Sequence, residues 1–269
     1  MVELCLSVPP RLAAEAEALF WAEGVWGLMV EDEDTGLHGE VRLRCWVEEA
    51  GDLAARVQAT LGPAARLTAT TVDPAAWTLP EATPLGRGFC VVSGGAEPLP
   101  DRQPLHLEPG AAWGGGEHPS TTLVVDHLEA GGWPRGPTLD VGTGTGVLTL
   151  IAAALGAGPL SAAELDPAAR AAAARAFARH GLEVALRAAL PAGPFDLVLA
   201  NLPFAAQREL APALAACLAP AVGRLVLSGF PEEAEPALRP IWEAAGLAVV
   251  EARAEAGWAL RVLVRADGG

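Results

Sequence analysis

The sequence predicts an α/β protein, with a doubly wound, mostly parallel sheet in the C-terminal two thirds and a small α+β unit before it. Three observations carry this. From about residue 119, short apolar strands alternate with Ala- and Leu-rich helical runs, the pattern of a parallel sheet covered on both faces. Within it, an apolar strand ends in Asp140 and passes through Gly142, Gly144 and Gly146 directly into a helix. The first 72 residues instead give strand and helix signals in the order βαββαβ, a ferredoxin-like split pattern.

Taken in order, VELCLSV is an alternating strand, RLAAEAEALFWAEG has helical periodicity, and VWGLMVE and GEVRLRCWV are strands. DLAARVQATLG is helical and ARLTATTV closes the unit. The Pro- and Gly-rich DPAAWTLPEATPLGRG has no clean period and reads as a linker. The expected organisation is a substrate-recognition unit over 1–72, a linker over 73–98 and a nucleotide-binding domain over 99–269. Two short extended segments, FCVVSG and QPLHLEP, lead into a loop and the last of these. Strands are expected over 138–141, 160–164, 195–200 and 224–228, with helices beginning near Val147, Pro167 and Ala205. LAVVEARAE and ALRVLVRA form a terminal strand pair about a turn at Gly257.

A 269-residue chain that is 51% hydrophobic can build a real core. Its apolar stretches are short and MVELCLSVPPR is neither a basic leader nor a long apolar segment, so a cytoplasmic protein without membrane spans is expected. Cysteines 5, 45, 90 and 217 never approach a C-x-x-C spacing, which argues for buried free thiols and against a metal site. The net charge of −15 disfavours binding to duplex nucleic acid and favours a basic protein partner. Residues 1–72 carry 12 acids against 5 arginines, so the N-terminal unit is the more acidic per residue. The chain has no Lys, no Tyr, two Ile and one Asn, the mark of a GC-rich genome. The surviving Asn201 is therefore a candidate for chemistry.

The turn LDVGTGTGVL lets backbone approach a ligand closely, and the helix after it offers unpaired N–H groups. Its third glycine comes one residue earlier than in the nicotinamide fingerprint, and an acid precedes the first. S-adenosylmethionine suits this variant: its ammonium needs a carboxylate such as Asp140, and its carboxylate needs N–H donors. Asp140, Gly142, Thr143, Gly144 and Gly146 are the candidate cofactor residues. Twenty residues beyond Gly144, Glu164 ends the next strand, where an acid can accept both ribose hydroxyls. Asp166, ahead of Pro167, is read as a helix cap.

FDLVLANLPF ends an apolar strand at Asn201, on the side of the sheet where ligands sit, so Asn201 is expected to face the methyl donor and is also a candidate cofactor residue. The Asn201 side-chain carbonyl and the Leu202 backbone carbonyl could together hold a nucleophilic amine by its N–H groups. Asn201 could equally close the strand as a turn residue. LEPGAAWGGGEHPSTT reads as a flexible loop and a capped helix, with Ser120 or Thr121 the cap and His118 a polar loop residue. As a lid over the donor, this stretch would bring Thr121 to the cofactor.

On these motifs, residues from about 105 onward resemble the ribosomal protein L11 methyltransferase family, the PrmA type. LEPGAAWGGGEHPSTT resembles its loop before the donor motif, LDVGTGTGVLTL its donor loop, AAELDP its ribose site and GPFDLVLANL its substrate-facing strand; Trp77 and the small acidic N-terminal unit match in kind. The resemblance implies a Rossmann-like methyltransferase that uses S-adenosylmethionine. It also implies methylation of lysine side chains and an N-terminal amine of ribosomal protein L11, recognised by the N-terminal unit. Three features depart from the family pattern. Trp113-Gly114-Gly115-Gly116 stands where Phe-Gly-Thr-Gly is usual, ALRAALPAG is short where an acid-rich turn is usual, and Asn201-Leu202-Pro203-Phe204 leans toward the Asn-Pro-Pro-Tyr of glutamine and adenine methyltransferases. The competing readings are a methyltransferase for a glutamine amide or a small molecule, a nicotinamide-dependent oxidoreductase, and an inactive donor-binding scaffold.

Overall fold

The computed structural model describes residues 2–22, 26–31, 39–47, 52–71, 81–108 and 118–266. Two compact units divide at Leu79 and Pro80. The first contains β1 (Val2–Val8), α1 (Ala13–Ala22), β2 (Trp26–Glu31), β3 (Val41–Val47), α2 (Leu53–Leu61) and β4 (Arg66–Thr71). Its antiparallel sheet has the order β2-β3-β1-β4, the ferredoxin-like arrangement expected. Strand alternation turns Leu4, Leu6 and Val8 of β1 inward, against Val57 and Leu61 of α2 and Phe20 of α1. Cys45, Cys90 and Cys217 are buried free thiols and Cys5 is partly exposed. Burial pushes the Cys45 thiol up to about 12.

The second unit opens with β5 (Glu81–Leu85), β6 (Phe89–Ser93) and β7 (Gln103–His106), which form a three-stranded sheet. Residues 81–98 thus fold with this unit, whereas the sequence suggested a linker. The physical reason is visible in the residues that misled. Pro84 lies on β5, which is paired with β6 on one side and forms an edge of this sheet, where a missing N–H costs no ladder bond. Gly86 and Gly88 build the tight turn to β6.

The main sheet comprises β8 (Thr138–Val141), β9 (Leu160–Ala163), β10 (Val184–Arg187), β11 (Leu197–Asn201), β12 (Arg224–Pro231), β13 (Leu247–Glu255) and β14 (Trp258–Arg265). Its order is β10-β9-β8-β11-β12-β14-β13, parallel except for β14, which runs antiparallel to both neighbours. This is the doubly wound Rossmann-like sheet expected. The helices are α3 (Pro119–Ala130), α4 (Val147–Ala154), α5 (Pro167–Arg179), α6 (Phe204–Cys217) and α7 (Glu235–Ala244). Leu197 and Leu199 face one core cluster with Val124, Ile151 and Phe177, while Val198 and Ala200 face another with Leu214 and Trp242. Both faces are covered, which is why these strands read as continuous apolar runs.

Three of the four strand ranges expected over 138–228 differ in their boundaries, and one of them, β11, runs Leu197–Asn201 where 195–200 was expected. β9 stops at Ala163 and leaves Glu164 in the following loop; β12 continues beyond Ser228 across a register shift to Pro231. Trp77 and the Trp113-Gly114-Gly115-Gly116 loop lie outside the described residues. No described helix is long and apolar enough to cross a membrane.

Candidate functional site

In the main sheet β8 is flanked by β9 on one side and β11 on the other, so the direction of winding reverses between them. Loops leaving the carboxyl ends of strands on either side of such a reversal diverge and leave a crevice. The glycine turn, Glu164 and Asn201 all lie there, at the ends of β8, β9 and β11.

The turn itself is tied down from below. Gly142 and Thr143 donate backbone N–H bonds to the Ala163 carbonyl at 2.8 and 3.2 Å, which joins the ends of β8 and β9. Gly142 has φ +69°, and a Cβ there would lie 2.5 Å from Leu202 Cδ2. A side chain at 142 would therefore have to displace the Leu202 side chain and hold a left-handed backbone that glycine alone adopts readily.

Asp140 is only 1% exposed. Its Oδ2 accepts hydrogen bonds from the Thr143 hydroxyl at 2.6 Å and the Thr149 hydroxyl at 2.7 Å. Its Oδ1 is buried with no hydrogen-bond partner among the described residues. Burial pushes the carboxyl up to about 6, against the two threonine bonds, and the nearby Glu164 charge adds to the rise. Asp140 thus lies beneath the turn as an organiser, not open on the wall of the crevice, and Thr143 serves this acid with its hydroxyl.

Glu164 Oε2 accepts from Gly144 N at 2.9 Å and its Oε1 from Asp166 N at 3.0 Å. Asp166 caps α5 as expected, accepting from Ala168 N at 2.9 Å and Ala169 N at 3.3 Å ahead of Pro167. Between the two acids Leu165 is 82% exposed, an apolar side chain in a conspicuously wet position.

Asn201 closes β11, and its Nδ2 donates to the Thr121 hydroxyl at 3.1 Å. Thr121 is buried in the first turn of α3, so it stands against Asn201 and is not the helix cap. Nor is Ser120. The cap is His118, whose Nδ1 accepts from Ser120 N at 3.3 Å and lies 2.8 Å from the Ser120 hydroxyl. Its ring stands edge-on to Trp258 at 4.3 Å, and burial lowers its pKa. A neutral imidazole can accept at Nδ1, whereas an imidazolium cannot; an N-cap imidazole accordingly replaces the hydroxyl cap that the sequence suggested.

Leu202 is more constrained than its sequence role requires. Its N–H donates to Ser228 O at 2.9 Å, and its carbonyl already accepts from Gln207 Nε2 at 2.6 Å. Gln207 and Ser228 were not singled out from sequence. The Ser-Gly after the apolar run of β12 marks a strand end, but nothing local distinguishes Gln207 from a surface glutamine. Among the described residues no group of three or more His, Cys, Asp or Glu side chains is placed to hold a metal ion.

The profile described as Ribosomal protein L11 methyltransferase (PrmA) matches residues 82–266. The ribosomal protein L11 methyltransferase of Thermus thermophilus is 39% identical over 162 residues, 58% of this chain and 63% of that protein. That of Geobacter sulfurreducens is 40% identical over 168 residues, 61% of this chain and 56% of its own length. The matched stretch spans less than two thirds of either relative. A crystal structure of ribosomal protein L11 methylase from Lactobacillus delbrueckii subsp. bulgaricus superposes with a TM-score of 0.60 at 24% identity, covering 68% of this chain and 97% of that one, and shows the shared fold. The profile takes in more than half of the chain, and the turn, the acid and the asparagine all fall inside it; the chain belongs to the ribosomal protein L11 methyltransferase (PrmA) family.

Proposed function

We propose that this chain is an S-adenosylmethionine-dependent protein methyltransferase that methylates amino groups, lysine side chains and an N-terminal amine, of ribosomal protein L11. The observation that carries the reading is the meeting of two half-sites at one crevice. A glycine turn with its acids lies at the ends of β8 and β9, and an asparagine held by Thr121 lies at the end of β11. The residues fit the donor. Asp140 keeps a buried carboxylate oxygen without a partner among the described residues, and glycine at 142 lets the turn lie against Leu202, where a Cβ would come within 2.5 Å of Cδ2.

When bound, the donor supplies a methyl group on a sulfonium, a leaving group that needs no metal or activated nucleophile. Glu164 would accept the ribose hydroxyls, and Leu165 would offer its apolar side chain to the adenine. The backbone of Gly142, Gly144 and Gly146 would hold the methionine end, while Asp140, buried beneath the turn with the Thr143 hydroxyl on it, would fix the turn's shape and set negative charge close behind it. Asn201 has its Nδ2 committed to Thr121, which leaves Oδ1 to accept from the incoming amine. The Leu202 carbonyl has one lone pair taken by Gln207 and one available. Two acceptors side by side select a group bearing two N–H bonds, and they aim its lone pair. A free lysine must lose a proton first, which costs about 3–5 kcal/mol at neutral pH; burial beside the sulfonium charge lowers that cost. Positioning supplies much of the rest.

The acidic N-terminal unit is assigned to recognition of the basic ribosomal protein, in the cytoplasm and away from duplex nucleic acid. Incubation of the protein with ribosomal protein L11 and donor should add methyl groups to amines, read by mass spectrometry. Asn201→Ala should lower turnover about a hundredfold, the scale of a misplaced reacting group, while calorimetry finds donor affinity little changed. Methylation of a glutamine amide instead would establish the reading suggested by Asn201-Leu202-Pro203-Phe204. Unaltered turnover in the alanine variant would return Asn201 to an ordinary turn residue.

A further inference from the structure

We propose that Gln207 is a positioning residue of the acceptor subsite, its buried amide clamping the Leu202 carbonyl to the carbonyl of Ser228 on the neighbouring strand. This rests on the methyltransferase reading and deepens it by assigning what fixes the second acceptor oxygen. Gln207 lies one turn into α6 and is 0% exposed. Its backbone N–H donates to Pro203 O at 3.1 Å. The side chain then reaches back past the helix start. Nε2 donates to Leu202 O at 2.6 Å and to Ser228 O at 2.9 Å, using both amide hydrogens. Those carbonyls belong to the loop after β11 and to the register shift in β12.

A second observation fits the same assignment. Gly229, next to Ser228, has φ +89°, and a Cβ there would lie 2.6 Å from Leu202 O and 2.7 Å from Asn201 Oδ1. The backbone of β12 therefore packs directly against both proposed acceptor oxygens. Ser228 is itself anchored, its one hydroxyl proton lying between Ala259 O at 2.8 Å and Ser120 O at 3.1 Å. Gln207 thus ties Leu202 to a fixed point. It does so while leaving its own Oε1 buried without a partner among the described residues, a cost that leucine at this position would avoid. What the amide adds over leucine is the two N–H bonds. A carbonyl held at one lone pair presents the other in a set direction, so the clamp keeps Leu202 O beside Asn201 Oδ1 for an N–H-bearing acceptor.

The test uses the full chain with donor and ribosomal protein L11, and two variants. Gln207→Leu removes both N–H donors at similar volume. Turnover should fall at least tenfold, donor affinity should stay within about twofold, and the Leu202 amide should exchange with solvent faster in the protein alone. Gln207→Glu is the discriminating variant. Protonated, the acid can donate to one carbonyl; ionised, it donates to neither and sets charge against two oxygens. The wild type should gain turnover with rising pH as the amine loses its proton, while the ratio of Gln207→Glu to wild type should fall. Turnover of Gln207→Leu within twofold of wild type overturns the proposal. So does a loss that follows the melting temperature with a pH-independent Gln207→Glu ratio, which identifies a stabilising glutamine only. Absence of methyl transfer by the wild type is a separate result, since it removes the methyltransferase reading on which the clamp depends.

Discussion

Asp140 shows how one residue can shape a turn and carry charge at once. Its ordinary carboxyl value of 3.8 is raised to about 6 because both oxygens are out of water and only one is hydrogen-bonded. Between pH 4 and 6 the folded chain holds a proton that the unfolded chain has released, so this group's contribution to stability falls as pH rises through that window. The cationic end of the donor should reverse the preference by favouring the ionised form. Donor affinity is therefore expected to weaken below pH 6 by up to about tenfold per pH unit. Asp140→Asn keeps a carbonyl for the two threonine hydroxyls and removes the charge. Its donor affinity should be low and flat with pH, while its fold at pH 7 is at least as stable as that of the wild type. Calorimetry at pH 5 and 7.5 would check this; a wild-type affinity independent of pH would place the donor's charge away from Asp140.

Helix α3 joins parts of the unit that lie far apart in sequence. Its first turn presents Thr121 to Asn201 and the Ser120 carbonyl to Ser228. Near its other end, Glu129 accepts from Arg87 N at 2.7 Å and Gly88 N at 2.6 Å and so holds the turn between β5 and β6. Hydrogen bonds to a carboxylate contribute about 1.5–3 kcal/mol each, reduced here because the donors are on an exposed turn. Glu129→Ala should cost about 2 kcal/mol in a denaturant melt, with faster exchange of the Arg87 and Gly88 amides and unchanged donor affinity. A melt like that of the wild type would make the contact incidental. The same contrast between local and distant explains what could be read from sequence. β8, α4 and α5 start where expected because glycine, proline and a capping acid mark them chemically. β5 was missed because Pro84 argues against a strand unless its edge position is known, and α7 because Pro236 and Pro240 break up its periodicity. The placement of the glycine turn, Glu164 and Asn201 at strand ends was legible because each directly follows or closes a short apolar run. The contact between Thr121 and Asn201 spans 80 residues and the reach of Gln207 to Ser228 spans 21, so neither leaves a local signature.

The two units build separate cores, Leu4, Leu43, Phe20 and Val57 in one and the two faces of the main sheet in the other. That separation allows the proposed recognition and donor-binding roles to be tested apart, provided the cut falls where the structure divides. Residues 1–72 hold a surplus of seven negative charges, enough to attract a basic ribosomal protein at low ionic strength. Removing residues 1–79 should therefore leave donor affinity near that of the wild type while raising the concentration of protein substrate needed at low salt. Added salt should weaken the intact enzyme toward the truncated one, because screening acts on the same attraction. Removing residues 1–98, the boundary suggested by composition, should behave differently. It would strip β5 and β6 from their sheet and take Leu85, Phe89 and Val91 from the core of the remaining unit. Each such loss costs about 2–5 kcal/mol in a buried site, enough together to unfold a domain of ordinary stability. Circular dichroism melts and donor titrations of the two truncations, side by side, would separate the effects. A folded 99–269 fragment that binds donor normally would show that β5 and β6 are dispensable, and equal activity of the 80–269 fragment on ribosomal protein L11 at low salt would remove the recognition role from the acidic unit.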